Sequence, residues 1–317
     1  MRILVTGGAG YIGSIAVELL HRVGFEISIL DDCSTGHLDA VHTSARLVRG
    51  SLLDPSAIAD ALAGCDGVIH FAGKSLVGES VEKPELYWTV NVNGTRNLLD
   101  QMLLANVWKI VFSSSAATYG EPNILPIPET SLVNPTNPYG STKLAVDQML
   151  GVGAKVQGFA ATSLRYFNVA GALKCERGWL GERHNPESHL IPKILRASTS
   201  APVNVFGTDW PTPDGTCIRD YVHVVDLVDA HIKALRSLVI GEHQIFNLGS
   251  GRGYSVREVI HSASVALGHD IETVDSPRRA GDPAVLVADI TKAQRELGWQ
   301  PILDMDSMVS DALASLG

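Results

Sequence analysis

The 317-residue sequence predicts an α/β protein, a doubly wound parallel sheet followed by a smaller C-terminal α/β domain. Three observations carry that expectation. Short β-branched runs alternate with longer amphipathic stretches through the first half. A glycine run follows the first of those strands, and the alternation stops after Asn168. Strand–helix alternation builds βαβ units on a buried parallel sheet, and a glycine turn leaving the first strand is the mark of the Rossmann type.

Residues 3–5, 27–30, 47–48, 68–71, 110–112 and 162–165 read as strands. Between them, 12–23, 56–63, 84–105 and 141–152 carry helical periodicity. Beyond Asn168 prolines and glycines crowd together (Pro186, Pro192, Pro202, Pro211, Pro213, Gly215), the signature of irregular chain. A strand-like run at 244–248 is placed to rejoin the sheet. The expected division is a Rossmann domain over 1–168 with a return segment near 221–250, and a second domain from 169–220 and 251–317.

Composition narrows the function classes. Hydrophobic residues make up 45% and charged residues 19%, ordinary globular usage that excludes a disordered chain. The net charge of −9 opposes a nucleic-acid partner, because the phosphate backbone would be repelled. Cys33, Cys65, Cys175 and Cys217 are far apart with no C-x-x-C pair, which argues against a zinc centre or disulfide framework and fits a reducing cytoplasm. No window approaches the ~18 apolar residues of a membrane span, and the N-terminus reads as a strand rather than a signal peptide. We therefore expect a soluble cytoplasmic protein with no metal and no membrane partner.

Gly7-Gly8-Ala9-Gly10-Tyr11-Ile12-Gly13 lies between the first strand and the first helix. Glycines there permit a tight turn and let amides at the helix start approach a pyrophosphate. Asp31 ends the second strand, 21 residues past Gly10, where a carboxylate can accept the adenosine ribose hydroxyls. It would repel a 2′-phosphate, so NAD is expected over NADP. Tyr139 and Lys143 stand four apart after Pro138, which can open a helix, so both side chains share a face. A nearby ammonium favours the phenolate, which would bring the tyrosine pKa down toward working pH from about 10. Such a group can take a proton from a hydroxyl while hydride leaves the same carbon. Ser115, at the carboxyl end of the fifth strand, is placed to bond that hydroxyl.

With these residues in view, the sequence resembles the extended short-chain dehydrogenase/reductase family, in its nucleotide-sugar-modifying branch. The likeness runs along nearly the whole chain. It rests on 6–13, His70-Phe71-Ala72-Gly73, Val77-Gly78-Glu79-Ser80, Asn91-Val92-Asn93-Gly94-Thr95, Ser113-Ser114-Ser115, 139–143 and Arg165-Tyr166-Phe167-Asn168. Further on it rests on His184-Asn185-Pro186, His189-Leu190-Ile191-Pro192, Asp214-Gly215-Thr216, 219–224 and 278–282. The resemblance implies Tyr139 as base, Lys143 as its tuner and a cofactor-ribose ligand, and Ser115 as hydroxyl partner. It implies an NAD site made of Gly7, Gly10, Tyr11, Ile12, Gly13, Asp31, Asp32, Cys33, Ser34, Thr35, Gly36, Ser51, Leu52, Phe71, Ala72, Gly73, Lys74, Asn91, Ser113 and Phe167 with Tyr139 and Lys143.

The nucleotide-sugar would be held by Ser115, Tyr139, Asn168, His189, Leu190, Val205, Phe206, Arg219, Arg279, Asp282 and Leu286. Arg219 and Arg279 suit a diphosphate, since a guanidinium fork binds oxygen pairs; Asp220 and Asp282 equally allow them to be structural ion pairs. Leu286 either flanks the C2 side of the sugar or is ordinary strand core. Two departures stand out. Ser51-Leu52 replaces the usual acid for the adenine amino group, leaving backbone, a hydroxyl or Asp54 to hold it. Lys74-Ser75 also differs from members that place lysine one position later.

The implied reaction oxidises C4 of a UDP-hexose with bound NAD and returns the hydride to the opposite face. The alternatives are epimerisation of a UDP-N-acetylhexosamine, UDP-pentose or UDP-uronate, or an NAD-binding sensor without catalysis. A 4,6-dehydratase needs an acid pair where Ala116 and Ala117 stand, and a decarboxylating relative needs a glutamate there. The resemblance also implies a homodimer pairing helices at 87–105 and after Tyr139, faces that could instead only cover the sheet.

Overall fold

The structure is a computed structural model and describes residues 1–197, 202–279 and 282–317. Six strands follow in sequence: β1 (Arg2–Thr6), β2 (Glu26–Asp31), β3 (Arg46–Arg49), β4 (Gly67–His70), β5 (Lys109–Ser115) and β6 (Ala160–Tyr166). All pair parallel, in the spatial order 3-2-1-4-5-6, and a seventh strand, His243–Leu248, adds parallel to β6. The strand expected at 244–248 does rejoin the sheet. This is the Rossmann order, whose reversal beside β1 opens a crevice at the carboxyl ends of β1 and β4.

Helices α1 (Tyr11–Arg22), α2 (Pro55–Leu62), α3 (Val77–Glu82), α4 (Pro84–Tyr87), α5 (Gly94–Leu104) and α6 (Pro138–Gln157) lie within the first half, and α7 (Leu190–Leu195) and α8 (Val224–Ser237) follow. Alternate residues of each strand feed opposite faces. Ile3, Val5, Ile29 and Val111 pack with Ile15 and Leu20 of α1 and Val228 and Leu235 of α8. Leu4, Leu30, Val68 and Ile110 pack with Leu98 and Met102 of α5 and Val146 and Leu150 of α6. Helices on both faces explain why these strands read as nearly unbroken apolar runs.

Two expected helices are drawn differently. The stretch at 84–105 is interrupted by a π-helical segment, Trp88–Asn93, between α4 and α5. Helix α6 is longer than the periodicity at 141–152 indicates. Asn137 caps its start by accepting the Gly140 amide, and it ends at Gly158, whose φ of 89° is left-handed. A third apolar cluster, with Ile191 and Ile194 of α7 beside Val259, Met308 and Val309, lies in the C-terminal part. Strands there are short and pair over long sequence distances: Asn168–Ala170 with Tyr221–His223, and Ile218–Arg219 with Val285–Leu286.

Candidate active site

The glycine turn is built for close approach. Gly7 sits at φ 73°, and a Cβ on Gly13 would lie 2.0 Å from the Gly7 carbonyl oxygen, so only glycine lets the turn fold against the helix start. Gly10 caps α1 without a side chain. The Tyr11, Ile12 and Gly13 amides, as the first of a helix, have no carbonyl within it and present a partial positive charge. Asp31 closes the turn from β2: one oxygen accepts the Ala9 amide at 2.9 Å and the other the Cys33 amide at 2.8 Å. Burial pushes its pKa up, and the two amides pull it back. Asp32 accepts the Ser34 amide at 2.8 Å and shapes the Ser34-Thr35-Gly36 bend.

Across the crevice the chain leaving β4 continues the wall. The Phe71 amide donates to the Thr6 carbonyl at 3.1 Å and the Ala72 amide to the Thr6 hydroxyl at 3.3 Å. Beyond Gly73, the Lys74 backbone is gripped from both sides by the Asn91 side chain, which accepts its amide at 2.7 Å and donates to its carbonyl at 3.0 Å. Asn91 reaches it from the π-helical segment, an irregularity that re-aims a side chain where a straight helix would not. Phe167, following β6, is tied to the seventh strand through its amide. This cradle fits a dinucleotide.

The adenine end is less open than the sequence suggests. Asp54 caps α2, accepting the Ser56 amide and hydroxyl and the Ala57 amide, so it is already engaged. The Leu52 side chain belongs to the core, and its carbonyl accepts from Asn97. The Ser51 hydroxyl accepts the Leu53 amide at 3.2 Å and keeps its own proton to offer.

Ser115, Tyr139 and Lys143 converge where β5 meets α6. The Lys143 ammonium donates to the Ser113 carbonyl at 2.8 Å and lies 5.8 Å from the centre of the Tyr139 ring. Burial brings the Lys143 pKa down to about 8, with Asp147 one helical turn on opposing the drop. The expectation that Lys143 draws the phenol pKa down is corrected. Burial raises the Tyr139 pKa above its ordinary 10, and the partner that lowers it is the Ser115 hydroxyl. A phenol almost without solvent loses the water that would stabilise its anion, and the ammonium is committed to a carbonyl instead.

The tertiary structure adds groups that the motifs do not contain. Asp147 is buried, pairs with Arg165 at 2.9 Å and accepts the Ser114 hydroxyl at 3.1 Å; its i+4 spacing from Lys143 is a signal the sequence does carry. Thr142 donates to the Tyr139 carbonyl and receives Asn91. Beneath, His231 lies 3.3 Å from the Ser113 hydroxyl, and Tyr87 meets Tyr139 edge-on with centroids 6.5 Å apart. No spacing in the chain announces those two.

The residues assigned to the sugar nucleotide fall into two groups. Asn168 donates to the Asp220 carbonyl at 3.0 Å, Arg219 pairs in register with Leu286, and the Arg219 guanidinium lies 3.7 Å from Asp282. Arg279 lies over the Phe206 ring at 3.8 Å, while the Val205 side chain next to it is buried. Ala280 and Gly281, between Arg279 and Asp282, lie outside the described residues. Asp220 is not the ion-pair partner allowed above: it is wholly buried and accepts from Ser250, Gly251 and Ala288. Leu286 is half-buried beside a buried Val287. His189 and Leu190 stand apart at the start of α7, where the His189 ring contacts Glu182 and Glu187.

Comparisons with known proteins agree with this architecture. The chain is 50% identical over 317 residues to the UDP-glucose 4-epimerase of Corynebacterium glutamicum, covering 99% of this chain and 95% of that protein. The structure of UDP-glucose 4-epimerase from Brucella ovis in complex with NAD superposes with a TM-score of 0.93 at 42% identity, over 98% of this chain and 97% of that one. The Bifidobacterium longum UDP-glucose 4-epimerase in complex with NAD+ and UDP gives 0.92 at 38% identity, over 99% and 97%. A family model described as the NAD dependent epimerase/dehydratase family matches residues 3–249. No helix of the described residues is long and apolar enough to cross a membrane. On the glycine cradle, the Ser115–Tyr139–Lys143 cluster and these matches, the chain belongs to the NAD dependent epimerase/dehydratase family.

Proposed function

We propose that this protein is a UDP-glucose 4-epimerase, an NAD-dependent enzyme that inverts C4 of UDP-glucose and UDP-galactose through a transient 4-keto sugar. The observation that carries this is the meeting of Ser115, Tyr139 and Lys143 beside the glycine cradle, in a chain half identical to an epimerase along its whole length. NAD, when bound, supplies a reversible hydride acceptor. The turn from Gly7 to Gly13, Asp31 and the wall from Phe71 to Lys74 with Asn91 would hold it.

Tyr139 takes the proton of the C4 hydroxyl and later returns it, with the Ser115 hydroxyl orienting the same oxygen. Lys143 is fixed by the Ser113 carbonyl and from there would hold the cofactor ribose. Arg219 and Arg279 grip the diphosphate, and Asn168 and Leu286 border the sugar. Alanines at 116 and 117 offer no acid or base for elimination, which favours simple return of the hydride. Residues 1–168 with 221–250 form the cofactor domain, and the remainder forms the substrate domain.

The active unit is a homodimer in the cytoplasm. Trp88 and Leu104 on one helical stretch and Val152 and Val156 on α6 expose apolar surface, with Leu104 76% and Val156 78% exposed, and pairing would bury it. Four free thiols suit a reducing compartment. The deciding experiment is incubation of the purified protein with UDP-galactose and no added cofactor. UDP-glucose as product is expected; no conversion, or conversion only with added NADP, overturns the assignment. Light scattering at micromolar concentration tests the dimer, against a chain mass of 33.9 kDa.

A further inference from the structure

We propose that Glu182, His184, Glu187 and His189 form a binding site for one divalent cation of the zinc class, which clamps the segment entering α7. One ligand atom from each of the four lies within 4.8 Å of the others. They occupy eight consecutive positions in the pattern E-x-H-x-x-E-x-H, just after the strand Gly178–Leu180. Two imidazoles and two carboxylates are a donor set suited to zinc, which takes nitrogen at about 2.0–2.1 Å and oxygen at about 2.0–2.2 Å in a tetrahedron. Ligand atoms around such an ion stand roughly 3.4 Å apart. Here the Glu182 carboxylate is 2.7 Å from His184 Nδ1 and 2.5 Å from His189 Nδ1, and Glu187 is 3.2 Å from His189 Nδ1. Small outward movements would admit the ion.

A second, independent feature points to a ligand. The Glu187 side chain is only 9% exposed, and its Oε2 is buried with no hydrogen-bond partner. Its other oxygen accepts the Ser188 and His189 amides, both at 2.8 Å, so the carboxylate is rigidly held with one oxygen unanswered. An uncompensated buried carboxylate oxygen is costly unless a proton or cation meets it. Arg183, the cation within the segment, is turned away and bound to Asp39 at 2.8 and 2.9 Å. The carboxylates lie deep, at 7% and 9% exposure, while the imidazoles are 27% and 40% exposed, which leaves an entry path from the histidine side. The cluster also lies close enough to Tyr11 of the glycine turn for both glutamates to add to the burial that raises the pKa of its hydroxyl. An ion here would therefore stiffen the segment that runs between the cofactor turn and His189-Leu190, without touching the reacting carbon.

The test uses the full-length protein with its bound dinucleotide, stripped with EDTA and freed of chelator, then titrated calorimetrically with Zn2+. One ion per chain is expected, with a higher melting temperature. Glu187→Gln and His184→Ala should each weaken binding at least tenfold, while His42→Ala, in the separate His21–His42 pair, should leave it unchanged. Co2+ gives a readout on the unaltered chain: the intense visible absorption of a tetrahedral centre is expected. Absence of stoichiometric binding, binding indifferent to Glu187→Gln and His184→Ala, binding lost in His42→Ala, or a weak octahedral Co2+ spectrum would each overturn the proposal.

Discussion

Asp220→Asn changes one atom and should destabilise the sugar side strongly. The carboxylate is wholly buried, and four donors converge on it: the Ser250 amide at 2.6 Å and hydroxyl at 2.7 Å on one oxygen, the Gly251 amide at 3.1 Å and the Ala288 amide at 3.0 Å on the other. An asparagine keeps the shape but must point its NH2 at one of those pairs. Facing Ser250 is the better choice, since the hydroxyl can rotate to accept, yet the Ser250 amide is then orphaned. That costs about 1–3 kcal/mol, and the surviving bonds lose roughly 1 kcal/mol each with the charge, giving about 3–5 kcal/mol in all. At about 2 °C per kcal/mol for a chain this long, the Tm should fall by roughly 6–10 °C. Because Asp220 anchors the strand end that carries Arg219, KM for UDP-galactose should rise as well. Thermal melts and initial rates on the same preparation read both effects. A variant melting within about 1 °C of the parent would show that the negative charge is not what holds these loops together.

Tyr139→Phe should lower turnover by about 10²–10⁴-fold while the purified protein still releases NAD on denaturation, because only the proton acceptor is lost; a near-normal rate would move the base elsewhere. His70 and His231 are buried, and burial brings their pKa values down to about 3 and about 4. The unfolded chain then binds more protons below the free histidine value of about 6.5, so stability should fall as pH drops from there, by roughly 2 kcal/mol per group at pH 5. Melting curves between pH 7 and 4.5 measure this, and a His231→Gln variant with an unchanged acid slope would remove His231 from the account. For Leu286→Tyr, kcat/KM should fall selectively for UDP-N-acetylgalactosamine relative to UDP-galactose if Leu286 borders the C2 substituent; equal losses for the two would return it to plain strand packing.

The sequence by itself determined the sheet and the cradle. Parallel strands buried on both faces carry unbroken apolar runs, so 3–5 in β1, 68–69 in β4 and 110–112 in β5 stand out in the chain, and the turn before α1 needs glycine where a Cβ would strike the Gly7 carbonyl. Tyr139 and Lys143 share a helix face through local spacing alone. Elsewhere the deciding contacts are remote in sequence. Ile218–Arg219 finds Val285–Leu286, Asp220 finds Ser250 and Ala288, and Asn91 grips Lys74 only because a π-helical segment turns it inward. The acidity of Tyr139 belongs to this second kind: the neighbouring lysine was legible, but the burial that raises the phenol pKa exists only once α6 has closed over β5, because desolvation depends on everything packed around a group rather than on its neighbours in the chain.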